Sequence, residues 1–284
     1  MRFAFAGIDF LGDVFETLID RGWEPVKLFT RACDNVYDFN DTTVAHARSL
    51  RLPIQMSRIR PADLAALKAA GCEALVVAGY PWLVRDWEAH LPYGLNFHPS
   101  PLPEGRGPYP LFKAILDGVP EWGMSVHVLG PSFDTGPIIA QDRFPVSAEE
   151  THDTLLAKCQ IAAKRLSARL AAELPTLWAE AEPQAGGSYW PRISEGQRTL
   201  DFTKDVAEVL RQVRAFGSIE TLALVGGKRL YVWQATGWTE PHRLPPGSLA
   251  HRHRRHLVVA AKDGFIQITG WSALAPESAR DTGR

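Results

Sequence analysis

The first 180 residues alternate short apolar runs with amphipathic stretches of helical period, and no other feature limits the fold so strongly. The run RFAFAG (2–7) reads as a strand. Leu11, Val14, Phe15 and Leu18 after it recur at helical spacing before Gly22 closes the turn. Further strands are predicted over 25–30 (PVKLFT), 73–79 (EALVVAG) and 94–98 (GLNFH), with helices near 41–51, 61–70 and 109–117. Runs this uniformly apolar have no solvent face, so the predicted class is α/β, a parallel sheet covered by helices on both sides. Strands over 123–129 (GMSVHVL) and 137–146 (PIIAQDRFPV) extend it. A long helix over 151–174 follows, opened by Thr151 and lined by Leu155, Cys159, Ala162, Leu166 and Leu170.

Beyond residue 180 the pattern changes. Residues 181–197 (AEPQAGGSYWPRISEGQ) are rich in Gly, Pro and polar side chains, the composition of a domain linker. One helix is predicted within FTKDVAEVLRQVRAFG. After it come two hairpin signatures, one around Gly226-Gly227 and one around Asp263-Gly264. The expected organisation is an N-terminal domain over 1–183, a linker over 184–199 and a β-rich barrel or sandwich over 200–284.

Composition excludes several classes. Of 284 residues, 45% are hydrophobic, enough for a buried core, and 31 Lys and Arg against 32 Asp and Glu give a net charge of −1, so no global field gathers polyanions. Cys33, Cys72 and Cys159 form no C-x-x-C, which suggests neither a zinc site nor a disulfide framework. No run approaches a membrane span and the N-terminus lacks a signal-peptide pattern, so a cytoplasmic location and no membrane partner are expected.

The chemistry is concentrated in residues 95–110 (LNFHPSPLPEGRGPYP), where five prolines follow a strand that carries Asn96 and His98 near its end. Ligands of open parallel sheets bind beyond the carboxyl ends of the strands. Positions 96 and 98 face the same side of an extended chain while Phe97 turns into the packing. A lone histidine at a strand end is commonly a satisfied core or surface residue. The reading changes with 130–138 (GPSFDTGPI), a second Gly/Pro loop that carries Asp134. A carboxylate beside imidazole orients it and raises its pKa, and an Asn amide can donate to a developing oxyanion, a set suited to acyl transfer.

The stretches NFHPSPLPEGRG and GMSVHVLGPSFDTGPIIAQDRFPV resemble the folate-dependent formyltransferase family, whose members include glycinamide ribonucleotide transformylase, methionyl-tRNA formyltransferase and amino-sugar formyltransferases. The resemblance implies a Rossmann-like domain, 10-formyltetrahydrofolate as co-substrate, no metal, and Asn96, His98 and Asp134 as the catalytic trio. One departure is SPLP at 100–103, where the family usually has Ser-Leu-Leu-Pro; it leaves the trio untouched. The family's pterin-wrapping segment corresponds to GYPWLV, so Tyr80, Trp82, Leu83 and Val84 are the implied folate residues, with Phe133 as a further wall. The C-terminal third resembles the OB-like, barrel-like domain of methionyl-tRNA and some amino-sugar formyltransferases.

The acceptor is less constrained. Residues 31–42 (RACDNVYDFNDT) hold Asp34, Asp38 and Asp41 against Arg31, where the tRNA enzymes carry a basic glycine-rich loop; the family's Gly-Ser-Asn phosphate loop is missing from AGIDFLGD. Residues 200–284 carry 12 Lys and Arg against 8 Asp and Glu, a mild net of +4. The expectation is therefore a small-molecule amine, such as a nucleotide-linked amino sugar or a hydroxylated ornithine, with no nucleic acid and a homodimer left open. Methionyl-tRNA formylation and a non-catalytic folate-binding module are the alternatives. Arg106 in the Pro-rich loop, and Tyr189 and Arg192 in the linker, are candidate acceptor contacts, with loop bracing or linker anchoring as their structural reading. HRHRRH (251–256) reads as an exposed turn or strand edge.

Overall fold

The computed structural model describes residues 1–33 and 38–273, so Asp34 lies outside the described residues. Two compact units divide the chain: one comprises 1–110, 121–145 and 156–191, the other 111–120, 146–155 and the chain from Arg192 onward. The first is built on a seven-stranded sheet of β1 (Arg2–Gly7), β2 (Glu24–Phe29), β3 (Ile54–Gln55), β4 (Ala74–Ala78), β5 (Tyr93–His98), β6 (Glu121–Val128) and β7 (Ile138–Pro145). Their order is β3-β2-β1-β4-β5-β6-β7, a Rossmann-like arrangement. Strands β1 to β5 pair in parallel, whereas β6 is antiparallel to β5 and β7 to β6. The fully parallel expectation is corrected for these last two strands, because a buried apolar run reveals covered faces but not strand direction.

Helix α1 (Gly12–Asp20) buries Val14, Phe15 and Leu18, and the Phe15 ring lies 5.9 Å from Phe3 and 5.1 Å from Phe5 of β1. α2 (Asp41–Ser49), α3 (Pro61–Ala69) and α4 (Pro110–Asp117) fall where the periodicity placed them. α5 (His152–Ala179) buries all five expected residues but runs past the predicted end at 174. The helix carries Pro175 inside it, which has no N–H to offer Ala171 four residues back. The indole Nε1 of Trp23 donates to that carbonyl at 3.4 Å instead, and Trp178 in the extra turn packs edge-on against Trp87 and Tyr93.

In the second unit, α6 (Glu195–Arg198) and α7 (Val206–Glu220) accompany β8 (Leu222–Val225), β9 (Lys228–Thr239), β10 (Leu249–His253), β11 (His256–Ala260) and β12 (Gly264–Ala273). These form an antiparallel sheet in the order β10-β11-β12-β9-β8. Val209 and Val213 of α7 join Leu230, Val232, Val259, Ile266 and Ile268 in its core. Both predicted hairpins are present. The β-rich expectation is met in antiparallel pairing; among the described residues the sheet has β10 and β8 as its two edges. The HRHRRH segment spans the end of β10, the Arg254-Arg255 turn and the first residue of β11, with all six side chains exposed.

Candidate active site

Asn96 and His98 stand two residues apart on β5, with His127 of β6 opposite Asn96 in the register. The loop after β6 therefore starts alongside Asn96, and its Asp134 reaches His98: the Asp134 Oδ1 to His98 Nδ1 distance is 3.4 Å. The structure thus brings Asn96, His98 and Asp134 into one cluster. The two ionisable members are deeply buried, His98 at 6% and Asp134 at 8% exposure.

Three backbone or neighbouring groups fix the cluster. His98 Nε2 lies 2.9 Å from the Gly105 carbonyl, and Gly107 N–H donates to Asp134 Oδ2 at 2.9 Å. Gly107 has φ +109, and a Cβ there would come within 2.2 Å of the Trp190 carbonyl, so only glycine lets this N–H reach the carboxylate. Asp134 itself has φ +59, a left-handed conformation that costs a non-glycine residue energy and is held by what surrounds it.

The third group, His127, was absent from the candidates read from sequence. Asn96 donates through Nδ2 to His127 Nε2 at 3.0 Å, while His127 Nδ1 faces the Val128 carbonyl at 2.8 Å. A carbonyl only accepts, so by these partners Nδ1 carries the ring proton and Nε2 receives the amide hydrogen. One Asn96 N–H is thereby anchored, which sets the direction of the other. In the sequence His127 is one letter inside an apolar strand; the only available signal was its two-residue offset from Ser125 on the same face as Asn96.

Burial is the largest influence on Asp134 and pushes its pKa up. The charge of His98, the His127 ring beside the carboxylate and the Gly107 N–H together overcome it and hold the carboxyl at about 2. For His98 burial is again the largest influence and drives the pKa below the ordinary imidazole value, against the opposing pull of Asp134 and the Gly105 carbonyl. Both ring nitrogens face oxygen acceptors. A singly protonated ring satisfies one and a doubly protonated ring satisfies both, so the site accommodates a proton gained when negative charge builds beside it.

The folate candidates separate into two groups. Trp82, Leu83 and Phe133 line a cleft of about 590 Å³ whose other walls include Arg58, Arg60 and Arg85, within the size range of small-molecule sites. Phe133 is 48% exposed. Tyr80 and Val84 lie instead in the core beneath it. The Tyr80 hydroxyl accepts from Ile59 N–H at 2.9 Å and donates to the Ser57 carbonyl at 3.1 Å, and burial pushes its pKa up to about 12. It braces the loop that carries Arg58 and Arg60.

Among the acceptor candidates, Arg106 donates to Gln184 Oε1 at 3.0 Å and to the Gly186 carbonyl at 2.8 Å, the bracing arrangement. Tyr189 is 60% exposed, with its ring beside Gly107. Arg192 is exposed and belongs to the second compact unit. Trp190 stacks on Trp122, with ring centres 5.2 Å apart and planes at 19°. Among the described residues no cluster of three or more His, Cys, Asp and Glu is placed to hold a metal ion, and no helix is long and apolar enough to cross a membrane.

An open α/β sheet that gathers an amide, an imidazole and a carboxylate beside an aromatic and cationic cleft has a donor set suited to a transferase of activated one-carbon or acyl groups. Comparison narrows the class: a formyl transferase model matches residues 32–169 and a formyl transferase C-terminal domain model matches 192–275. The methionyl-tRNA formyltransferase of Janthinobacterium sp. (strain Marseille) is 30% identical over 235 residues, which cover 81% of this chain and 74% of the relative. The chain belongs to the formyltransferase family of folate-dependent one-carbon transferases.

Solved structures share the fold at lower identity. The N-formyltransferase from Helicobacter canadensis, in complex with folinic acid and dTDP-3-aminofucose, superposes with a TM-score of 0.69 at 16% identity, covering 94% of this chain and 97% of that one. HypX from Aquifex aeolicus, in complex with tetrahydrofolic acid, gives a TM-score of 0.69 at 18% identity and covers 97% of this chain; the match spans 44% of the HypX chain.

Proposed function

We propose that this chain transfers the formyl group of 10-formyltetrahydrofolate to a primary amine. The observation that carries the reading is the Asn96–His98–Asp134 cluster, with His98 Nδ1 3.4 Å from an Asp134 carboxylate held ionised. The donor supplies the formyl carbon: the amine nitrogen bonds to it, its bond to N10 breaks, and the amine's proton ends on N10. Asn96 donates its second amide hydrogen to the oxygen on which charge develops. His98 enters neutral, with its proton at Nε2 on the Gly105 carbonyl, and holds the amine's proton at Nδ1 against Asp134 before it moves to the leaving nitrogen. Trp82, Leu83 and Phe133 are the apolar wall for the pterin and its linked ring, and Arg58, Arg60 and Arg85 are suited to the donor's carboxylates. Residues 1–183 carry this chemistry, with 184–199 joining them to the β-rich domain over 200–284.

Two acceptors are supported by different observations. The α-amine of methionyl-tRNA is favoured by the Janthinobacterium relative and by the exposed basic stretch at 251–256, whose arginines suit backbone phosphates. This reverses the ranking drawn from residues 31–42. A small amine, the second reading, is favoured by that same segment, where Arg31 is paired with Asp38, and by the aminosugar nucleotide bound to the Helicobacter canadensis neighbour. The test is to incubate the chain with 10-formyltetrahydrofolate and, in parallel, charged initiator methionyl-tRNA, dTDP-amino sugars and hydroxyornithine. Tetrahydrofolate release and formylated product are then measured by mass spectrometry. Product from one acceptor identifies it; a thermal shift with folate and no product from any amine sinks the transferase reading in favour of a folate-binding module.

A further inference from the structure

Residues 182–190 are bonded along their length to both loops of the site. Glu182 exchanges two backbone hydrogen bonds with Ile138, at 2.7 and 2.9 Å. Ser188 N–H donates to the Pro103 carbonyl, Arg106 N–H to the Ser188 carbonyl and Trp190 N–H to the Arg106 carbonyl, at 3.2, 3.0 and 2.6 Å. The Ser188 hydroxyl receives Gly105 N–H at 3.0 Å. Gly187 (φ +91) passes so close to the Pro-rich loop that a Cβ would sit 2.2 Å from the Pro103 carbonyl. The segment is a strap laid between the loop that holds His98 and the loop that bears Asp134.

One side chain in the strap joins the two loops. Gln184 Nε2 donates to the carbonyl of Asp134 at 2.9 Å and to that of Gly136 at 2.7 Å, while its Oε1 accepts from Arg106 Nε at 3.0 Å. Both amide hydrogens are used on the Asp134 turn, where the backbone is in the left-handed region. We propose that Gln184 is a positioning residue for Asp134: it holds the left-handed turn in the one setting that aims the carboxylate at His98, and through Arg106 it keeps that setting in step with the Pro-rich loop. The proposal rests on the reading of Asp134 as the partner of His98.

Two substitutions separate its bonds. Gln184→Met keeps length and removes all three. Gln184→Glu keeps the partner of Arg106 but presents carboxylate oxygens, which cannot donate, to the Asp134 and Gly136 carbonyls. Both variants are expected to keep the wild-type KM for 10-formyltetrahydrofolate within a few-fold and to lose on the order of ten- to a hundred-fold in kcat, the scale of a catalytic group displaced by a fraction of an ångström to one ångström. The same substitutions in an Asp134→Asn background are expected to cost little more, because the group they position is already disabled. Gln184→Glu with kcat within threefold of wild type, or losses that multiply in full with that of Asp134→Asn, overturns the positioning role in favour of plain strap anchoring. If Asp134→Asn alone keeps full activity, the reading of Asp134 as the catalytic partner of His98 has failed, a result distinguishable from either. Because Gln184 is half-buried in a surface strap, the variants are expected to fold, and matching thermal melts check this.

Discussion

Replacing Asp134 by Asn keeps the size of the side chain and an oxygen for the Gly107 N–H, and removes one charge. At 3.4 Å from His98 Nδ1, and with an effective dielectric near 20, that charge stabilises an imidazolium by about 5 kcal/mol, equivalent to three to four powers of ten in rate. Part of this is recovered by the amide, so the expected fall in kcat/KM is on the order of 10³-fold. The pH profile supplies an independent sign. Burial holds the His98 pKa below the ordinary histidine value, and Asp134 is the largest influence opposing it. Activity that requires neutral His98 therefore declines on acidification at a pH below the ordinary imidazole range. Without the carboxylate the His98 pKa drops further and this limb moves to lower pH. The assay is tetrahydrofolate release at saturating donor, with whichever acceptor supports turnover, across pH 4.5–9. A variant within tenfold of wild type whose acid limb stays in place or moves to higher pH refutes the electrostatic role given to Asp134.

Other outcomes follow from the same geometry. Asn96→Ala removes an oxyanion donor and is expected to lower kcat by on the order of a hundred- to a thousand-fold with little change in KM, read from initial rates. Trp82→Ala strips an aromatic wall from the folate cleft and is expected to raise KM for the donor about tenfold with kcat nearly preserved; calorimetric titration with folinic acid tests whether binding is what changed. Because the folded-state pKa of Asp134 is depressed from 3.8 to about 2, its ionisation contributes stability that is complete above the unfolded value and lost as pH falls toward 2. That contribution is roughly 2 kcal/mol, and urea midpoints at pH 5 and pH 2.5 should differ less in Asp134→Asn than in wild type. Trp23→Phe leaves the Ala171 carbonyl without its indole donor and is expected to cost about 1–2 kcal/mol in chemical denaturation.

The proposed reacting groups were legible because they sit where sequence is most explicit, at the ends of apolar runs that enter proline- and glycine-dense loops. Asn96, His98 and Asp134 were found from that placement and from a family resemblance, and the structure gathers them. What escaped notice did so for physical reasons. The reversal of β6 leaves no mark in an apolar pattern, and β3 is too short for any period to register. His127 is polar by identity but occupies a core position in its strand, and Gln184 lies in a segment whose composition is that of a free linker although its backbone is bonded at nearly every turn. The folate candidates divided for a similar reason: spacing could not separate Trp82 and Leu83, which face the cleft, from Tyr80 and Val84, which support it.

The face-to-face indoles of Trp122 and Trp190 give the strap an optical signature of its own. Two chromophores this close, with nearly parallel planes, couple excitonically, so seating of residues 182–190 is written into the near-ultraviolet circular dichroism. Loosening of that segment during turnover or acceptor release can thus be followed in real time in the unlabelled protein.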